Sequence, residues 1–156
     1  MDVFSHGLWG AIVYGRQGNA LAALAFGMAP DLISFGPHIL INLLKGKLEK
    51  GKPELSNFPA WVFKTYDLTH SLVVYAGVYI TLRAIFGSEV AYLSLAWLLH
   101  ILMDIPTHSK NFFPTKFLYP LSNFHIDGTP WSSKGIMLGN FVFLLLAYGI
   151  YFAGLL

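Results

Sequence analysis

The 156-residue chain is 55% hydrophobic and only 12% charged, whereas soluble domains carry about 25% charged residues; with a mean hydropathy of +0.57, that deficit of charge points to lipid and to a single domain over residues 1–156. A formal net charge of +2, from ten Lys+Arg against eight Asp+Glu, offers no basic surface of the kind a phosphate backbone requires, so nucleic acid is not an expected partner. Cysteine is absent, which removes disulfides, thiolate metal sites and cysteine nucleophiles together and leaves His, Asp and Glu as metal ligands.

Residues 1–10 carry Asp2 and His6 and lack the basic stretch followed by an apolar run that marks a cleaved signal, so mature protein is expected from Met1 onward. Val3 to Tyr14 and Asn19 to Met28 are apolar, interrupted at GRQG (Gly15 to Gly18), and each is too short to span a bilayer in the usual way. They predict a re-entrant or tilted hairpin that breaks at Ala29, Pro30 and Asp31. A third apolar stretch, Ile39 to Leu44, runs into a loop from Lys45 to Lys64 with five lysines and two glutamates, which reads as solvated. Leu68 to Phe86 and Val90 to Ile105, separated by Gly87, Ser88 and Glu89, predict an antiparallel helical hairpin. Gly135 to Leu156 is uncharged and, at ~1.5 Å rise per residue, can cross a ~30 Å hydrocarbon core. Nothing alternates with the period of a strand and no repeat is present. The expected fold class is therefore all α, a multi-pass membrane helical bundle with a short N-terminal helical hairpin.

If each later segment crosses once, Lys45, Lys47, Lys50, Lys52, Lys64, Lys110, Lys116 and Lys134 share one side, eight of the ten basic residues. Only Arg16 and Arg83 fall opposite, so the positive-inside tendency places the lysine side in the cytoplasm of a cell (inner) membrane. Trp61, Tyr66, Tyr119 and Trp131 lie near the same boundary, where amphipathic rings favour the headgroup layer.

Ionisable residues in or beside membrane segments are costly and point to function. In AWLLHILMDIPTH, His100 and Asp104 are spaced i, i+4 and project from one helix face, able to grip one ion; taken alone, the pair serves equally well as a hydrogen-bonded couple in a packed core. His70, in YDLTHS, opens the first arm of the hairpin while His100 and Asp104 close the second, so antiparallel packing brings them together. Asp31 and His6 bracket the N-terminal hairpin and are expected on the same side, although Asp31 alone reads also as a helix cap after Pro30 and His6 alone as an exposed residue. His6, Asp31, His70, His100 and Asp104 are therefore the candidate metal ligands for one or two ions, with zinc first and manganese or iron as alternatives. Two ions call for a bridging carboxylate from Asp31 or Asp104. His108, His125 and Asp67 stand next, to ligate, orient a ligand or act as acid or base, with a polar loop role favoured for His125. His38, in GPHILIN, is assigned a structural or interfacial role outside the site.

In SHGLWG, PDLI, THSL and HILMDIPTH, in that order and from His6 to about Trp131, the chain resembles the bacterial and archaeal family of membrane-bound metal-dependent hydrolases, which includes the LexA-binding, inner-membrane-associated hydrolases. That family is similar to the zinc-dependent phospholipase C and nuclease group, which activates water against a phosphodiester with His and Asp ligands. The resemblance implies that His6, Asp31, His70, His100 and Asp104 are ligands here. Family members often carry an HRGxTHS-like run where this chain reads KTYDLTHS, so Tyr66 and Asp67 replace a basic or metal-binding element.

The expected function is a metal-dependent hydrolase at the cytoplasmic membrane face, acting on a lipid or headgroup phosphoester through metal-activated water, with Asp67, Asp104 or Asp31 as base and Lys110 or Lys116 attracting an anionic headgroup. The alternative is a metal-binding or metal-transport membrane protein. Ligands at helix ends and no polar path to the far side weigh against transport. A purely structural polar cluster ranks last, because five ligand-type residues converge.

Overall fold

The computed structural model describes residues 1–15, 18–47 and 54–155; Arg16, Lys50 and Lys52, which enter the sidedness count, lie outside the described residues. Among these residues the chain is all helical: α1 (Val3–Tyr14), α2 (Ala20–Leu44), α3 (Ala60–Thr69), α4 (Leu72–Leu93), α5 (Leu95–Thr107) and α6 (Lys134–Phe152), with a 3₁₀ turn at Leu55–Asn57.

Asp2 starts α1 by accepting from the Ser5 backbone N–H at 2.9 Å and the Ser5 hydroxyl at 2.6 Å, which satisfies orphan donors of the first turn. The helix packs backbone to backbone on α2. A Cβ on Gly10 would lie 2.8 Å from the Ala23 carbonyl oxygen, and one on Gly27 would lie 2.6 Å from that of His6, so small residues set the approach of the two helices.

The expected break at Ala29, Pro30 and Asp31 is not there. The second arm of the hairpin and the stretch Ile39 to Leu44 are parts of one 25-residue helix that runs through both Pro30 and Pro37. Proline removes one helical hydrogen bond, but a helix inside a bundle keeps its course when neighbours take up the freed groups. The carbonyl that Pro30 frees is that of Phe26; around it the Ser34 hydroxyl donates to the Pro30 carbonyl and His100 donates to the Gly27 carbonyl, contacts that hold the turns on either side of the proline. The N-terminal unit is thus a short helix laid against a full-length one rather than two short arms.

The second hairpin turns where glycine permits it. Gly87 has φ 87° and ψ −174° and breaks the helical rod of α4, a backbone setting that L side chains rarely adopt. The chain is helical again from 88 to 93 and turns a second time at Ser94 before α5. The last part of the lysine-rich loop is also ordered: α3 begins at Ala60 and buries Val62, Tyr66 and Thr69 on one face.

After α5 the chain doubles back on that helix. Gly128 N–H donates to the His108 carbonyl at 2.9 Å, Thr129 N–H to that of Pro106 at 3.0 Å and Trp131 N–H to that of Thr107 at 2.8 Å, so the C-terminal carbonyls of α5 are satisfied by a strap rather than by water. The strap requires glycine, since a Cβ at Gly128 would sit 2.2 Å from the Pro106 oxygen.

Helices α2, α4 and α6 are each long and apolar enough to cross a membrane. Ile80, Ile85 and Phe86 on α4 and Leu138, Phe143 and Leu145 on α6 are more than 60% exposed, an apolar surface that water-facing proteins do not keep. Length and composition thus give a multi-pass helical bundle of the membrane. Asn140, within α6, fixes that helix to α1: it accepts from Trp9 Nε1 at 2.9 Å and donates to Ser5 Oγ at 2.8 Å.

Candidate metal centre

His70 caps the C-terminus of α3 and His100 lies midway along α5. Their Nε2 atoms face each other at 3.0 Å. Each ring is held from behind: His100 Nδ1 donates to the Gly27 carbonyl at 2.7 Å, and His70 Nδ1 donates to that of Tyr66 at 3.1 Å with Thr69 Oγ1 at 3.0 Å. A carbonyl only accepts, so the proton of each neutral ring sits on Nδ1 and both Nε2 lone pairs point at the same space. Two lone pairs at this distance repel unless a cation or proton lies between them.

Two carboxylates close that space. Asp104 Oδ2 is 3.2 Å from His100 Nε2 and 3.4 Å from His70 Nε2; Asp31 Oδ1 is 3.5 Å from His70 Nε2 and 3.9 Å from His100 Nε2. A tetrahedral ion with ~2.0 Å bonds separates its ligand atoms by roughly 3.3 Å. The separations of each carboxylate from the two histidines bracket that value, so the histidine pair can hold a divalent ion together with a carboxylate oxygen. Asp104 Oδ2 is buried and has no hydrogen-bond partner, a costly state for a carboxylate oxygen and one that a cation relieves.

The other oxygen of Asp104 faces a second group. His6 Nε2 approaches Oδ1 to 2.9 Å and His108 Nδ1 to 3.4 Å, and the Met1 amino group contacts the same atom. The approach of His6 lacks hydrogen-bond alignment, and neither of its buried nitrogens has a hydrogen-bond partner; its ring stacks on His100 with centroids 3.6 Å apart. Ligand atoms of His6, His100 and Asp104, and separately of Asp31, His70 and His100, lie within 4.8 Å of one another. Asp104 is thus placed to bridge two positions, one at each oxygen.

His6 and His70, both outside the membrane-crossing helices, differ in charge. Burial lowers the pKa of His6 to about 4, against the opposing pull of Asp104. Burial also disfavours the charged form of His70, but the neighbouring carboxylates of Asp104 and Asp31 outweigh it and raise its pKa to about 8.

Of the candidate ligands, His6, Asp31, His70, His100 and Asp104 converge, and His108 joins them. Asp31 sits near the middle of α2 rather than at a hairpin end, while His70 and Asp104 lie where α4 begins and α5 finishes. Asp67 is elsewhere: its carboxylate pairs with Lys116 Nζ at 2.8 Å. His125, on the strap, contacts the Asn123 carbonyl at 3.2 Å. His38 is not remote from the site, since it lines a cavity that Asp31 and His108 also line.

Several positioning residues escape a reading by ligand type. Thr69 links His70 Nδ1 to Ser34 Oγ, 3.2 Å away, and its carbonyl accepts from Trp97 Nε1 at 2.8 Å. Tyr66 stacks on His70 with centroids 3.8 Å apart and meets Thr115 Oγ1 at 3.1 Å through its hydroxyl. Thr69 stands beside His70 in the THSL motif, which is a usable signal; Gly27, Ser34 and Thr115 carry none.

No family model matches this chain, and no curated protein or solved structure matches it either.

Proposed function

We propose that this protein is a metal-dependent hydrolase of the cell (inner) membrane, with its site toward the cytoplasm, that cleaves a phosphoester by attack of metal-activated water. The observation that carries the reading is the pair of Nε2 atoms at 3.0 Å, both rings pinned through Nδ1, beside a buried Asp104 oxygen with no donor. His70, His100 and Asp104 make the tightest triangle and supply the two-histidine, one-carboxylate set common to catalytic zinc sites. Zinc suits these ligands best, with manganese and iron also accepted.

A bound divalent ion would lower the pKa of water and polarise a phosphoryl oxygen. Asp31 has the longest separations from the histidines, keeps 14% of its side chain exposed and lines the cavity, so it is the carboxylate that meets incoming water and takes its proton. The ion pair of Asp67 with Lys116 makes Asp67 a poorer base than Asp31 or Asp104. The count that puts most lysines on one side of the membrane, together with Lys47 in the wall of the cavity that Asp31 and His108 line, supports the cytoplasmic assignment.

A second reading rests on the same residues: if Asp31 and Asp104 both bind the ion that the histidine pair holds, four protein ligands close it off from water, as in structural sites, which would make this a non-catalytic metal-binding membrane protein. The test is metal content of the detergent-purified protein by mass spectrometry, beside His100→Ala and Asp104→Ala, with phosphoester hydrolysis followed in parallel. Stoichiometric metal, lost in both variants, together with turnover is the expected result. Metal without turnover favours the second reading, and a folded protein without metal reduces the cluster to polar packing.

A further inference from the structure

A cavity of about 430 Å³ opens beside the metal centre, within the range of ~300–1,000 Å³ typical of small-molecule sites. Its long wall is one face of α2. Asp31, Phe35, His38 and Asn42 follow at i, i+4, i+7 and i+11 and all line it, so they form a stripe about 16 Å long at ~1.5 Å rise per residue.

The stripe is chemically graded. At one end stand Asp31 and His108 of the metal centre. The middle is apolar, closed by Phe35, Phe58 and Phe113, whose rings meet edge to face at 5.0–5.9 Å. Phe113 is held at φ 47°, a left-handed setting that a bulky side chain adopts only under constraint from its surroundings. Beyond the apolar stretch, His38 Nε2 and Asn42 Nδ2 lie 3.1 Å apart, and Lys47 lines the far end. The rim includes Leu32 and Ile39, both about half exposed and both on a helix that can cross the membrane.

We infer that the cavity binds the apolar body of the substrate, and that the substrate class is a chain-bearing amphiphilic phosphoester that enters past Leu32 and Ile39 from the bilayer, rather than a water-soluble headgroup ester. This rests on the hydrolase reading for the chemistry, but not for the binding. An apolar lining of this extent has nothing to offer a free glycerol phosphate or sugar phosphate, whereas a chain lying along the apolar wall of Phe35, Phe58 and Phe113 leaves its phosphoester at the Asp31 end.

Gly36 provides the test. It belongs to the rim, one turn from Leu32 and three residues from Ile39 on the same side of α2, and a Cβ there meets nothing within 4 Å, so Gly36→Phe adds a bulky ring where the chain would enter without a clash at its Cβ. Zinc-loaded wild type and Gly36→Phe, held in amphipol, are titrated with oleoyl lysophosphatidic acid and with glycerol 3-phosphate, which share a phosphomonoester and differ in the chain; binding and phosphate release are both read. The expected result is at least 100-fold tighter binding of the lysolipid by wild type, a preference that Gly36→Phe reduces to less than tenfold while it keeps its zinc. Equal affinities in wild type, or an undiminished preference in Gly36→Phe, overturn the inference. Chain-dependent binding without phosphate release sustains the cavity assignment and counts against the hydrolase reading.

Discussion

Asp104 is the residue on which both halves of the centre depend, and Asp104→Asn is the sharpest perturbation of it because it preserves shape while removing the charge. Oδ2 stands 3.2 and 3.4 Å from two imidazole nitrogens and Oδ1 stands 2.9 and 3.4 Å from two more, so one substitution alters both positions. Zinc sites that fold small domains bind with about 10–16 kcal/mol; divided over four ligand atoms, that is about 3 kcal/mol each, or on the order of 100-fold in affinity. Competition with a fluorescent zinc chelator at fixed pH measures the change directly. Asp67→Asn is the matched control: it removes a carboxylate that pairs with Lys116 outside the cluster and is expected to leave zinc affinity within a factor of about three of wild type, as does a substitution remote from a ligand set. Circular dichroism separates loss of a ligand from loss of the fold. If Asp104→Asn remains helical and competes for zinc as well as the wild type does, the four-atom site is not where the metal binds.

The pH dependence of metal binding follows from His70. Its pKa is raised to about 8, and a metal takes only the neutral ring, so below pH 8 a proton must leave before the ion binds. Apparent zinc affinity is therefore expected to rise about tenfold per pH unit between pH 6 and pH 8 and to level off above that, with no contribution in this window from His6, whose pKa of about 4 leaves it neutral. Competition titrations at four pH values check this, and a flat profile below pH 8 would refute it. Gly27→Ala places a Cβ 2.6 Å from the His6 carbonyl oxygen and must push α1 off α2. The expected cost is about 1–3 kcal/mol of stability, with weaker zinc binding because the carbonyl that orients His100 moves as well; calorimetric melting and the same competition assay test both effects.

The chain itself determined the class of fold and the identity of the candidate ligands. Sparse charge and the long uncharged C-terminal run specify membrane helices because a lipid core admits little else, and the HxxxD spacing puts His100 and Asp104 on one face of any helix that contains them. Glycine at 87 marked the turn of the second hairpin because only glycine tolerates that backbone. What local rules could not supply was the outcome at Pro30. Whether a helix runs on through proline depends on what holds the turns beside it, here Ser34, which lies nearby in sequence, and His100, which does not. The role of Asp67 was likewise undecidable from KTYDLTHS, since it turned on Lys116, 49 residues later. Which nitrogen of each histidine is free was also decided only in three dimensions, by the carbonyls of Gly27 and Tyr66. Residue type and spacing name the groups able to bind a metal, while the contacts behind them, made between distant parts of the chain, decide where their lone pairs point.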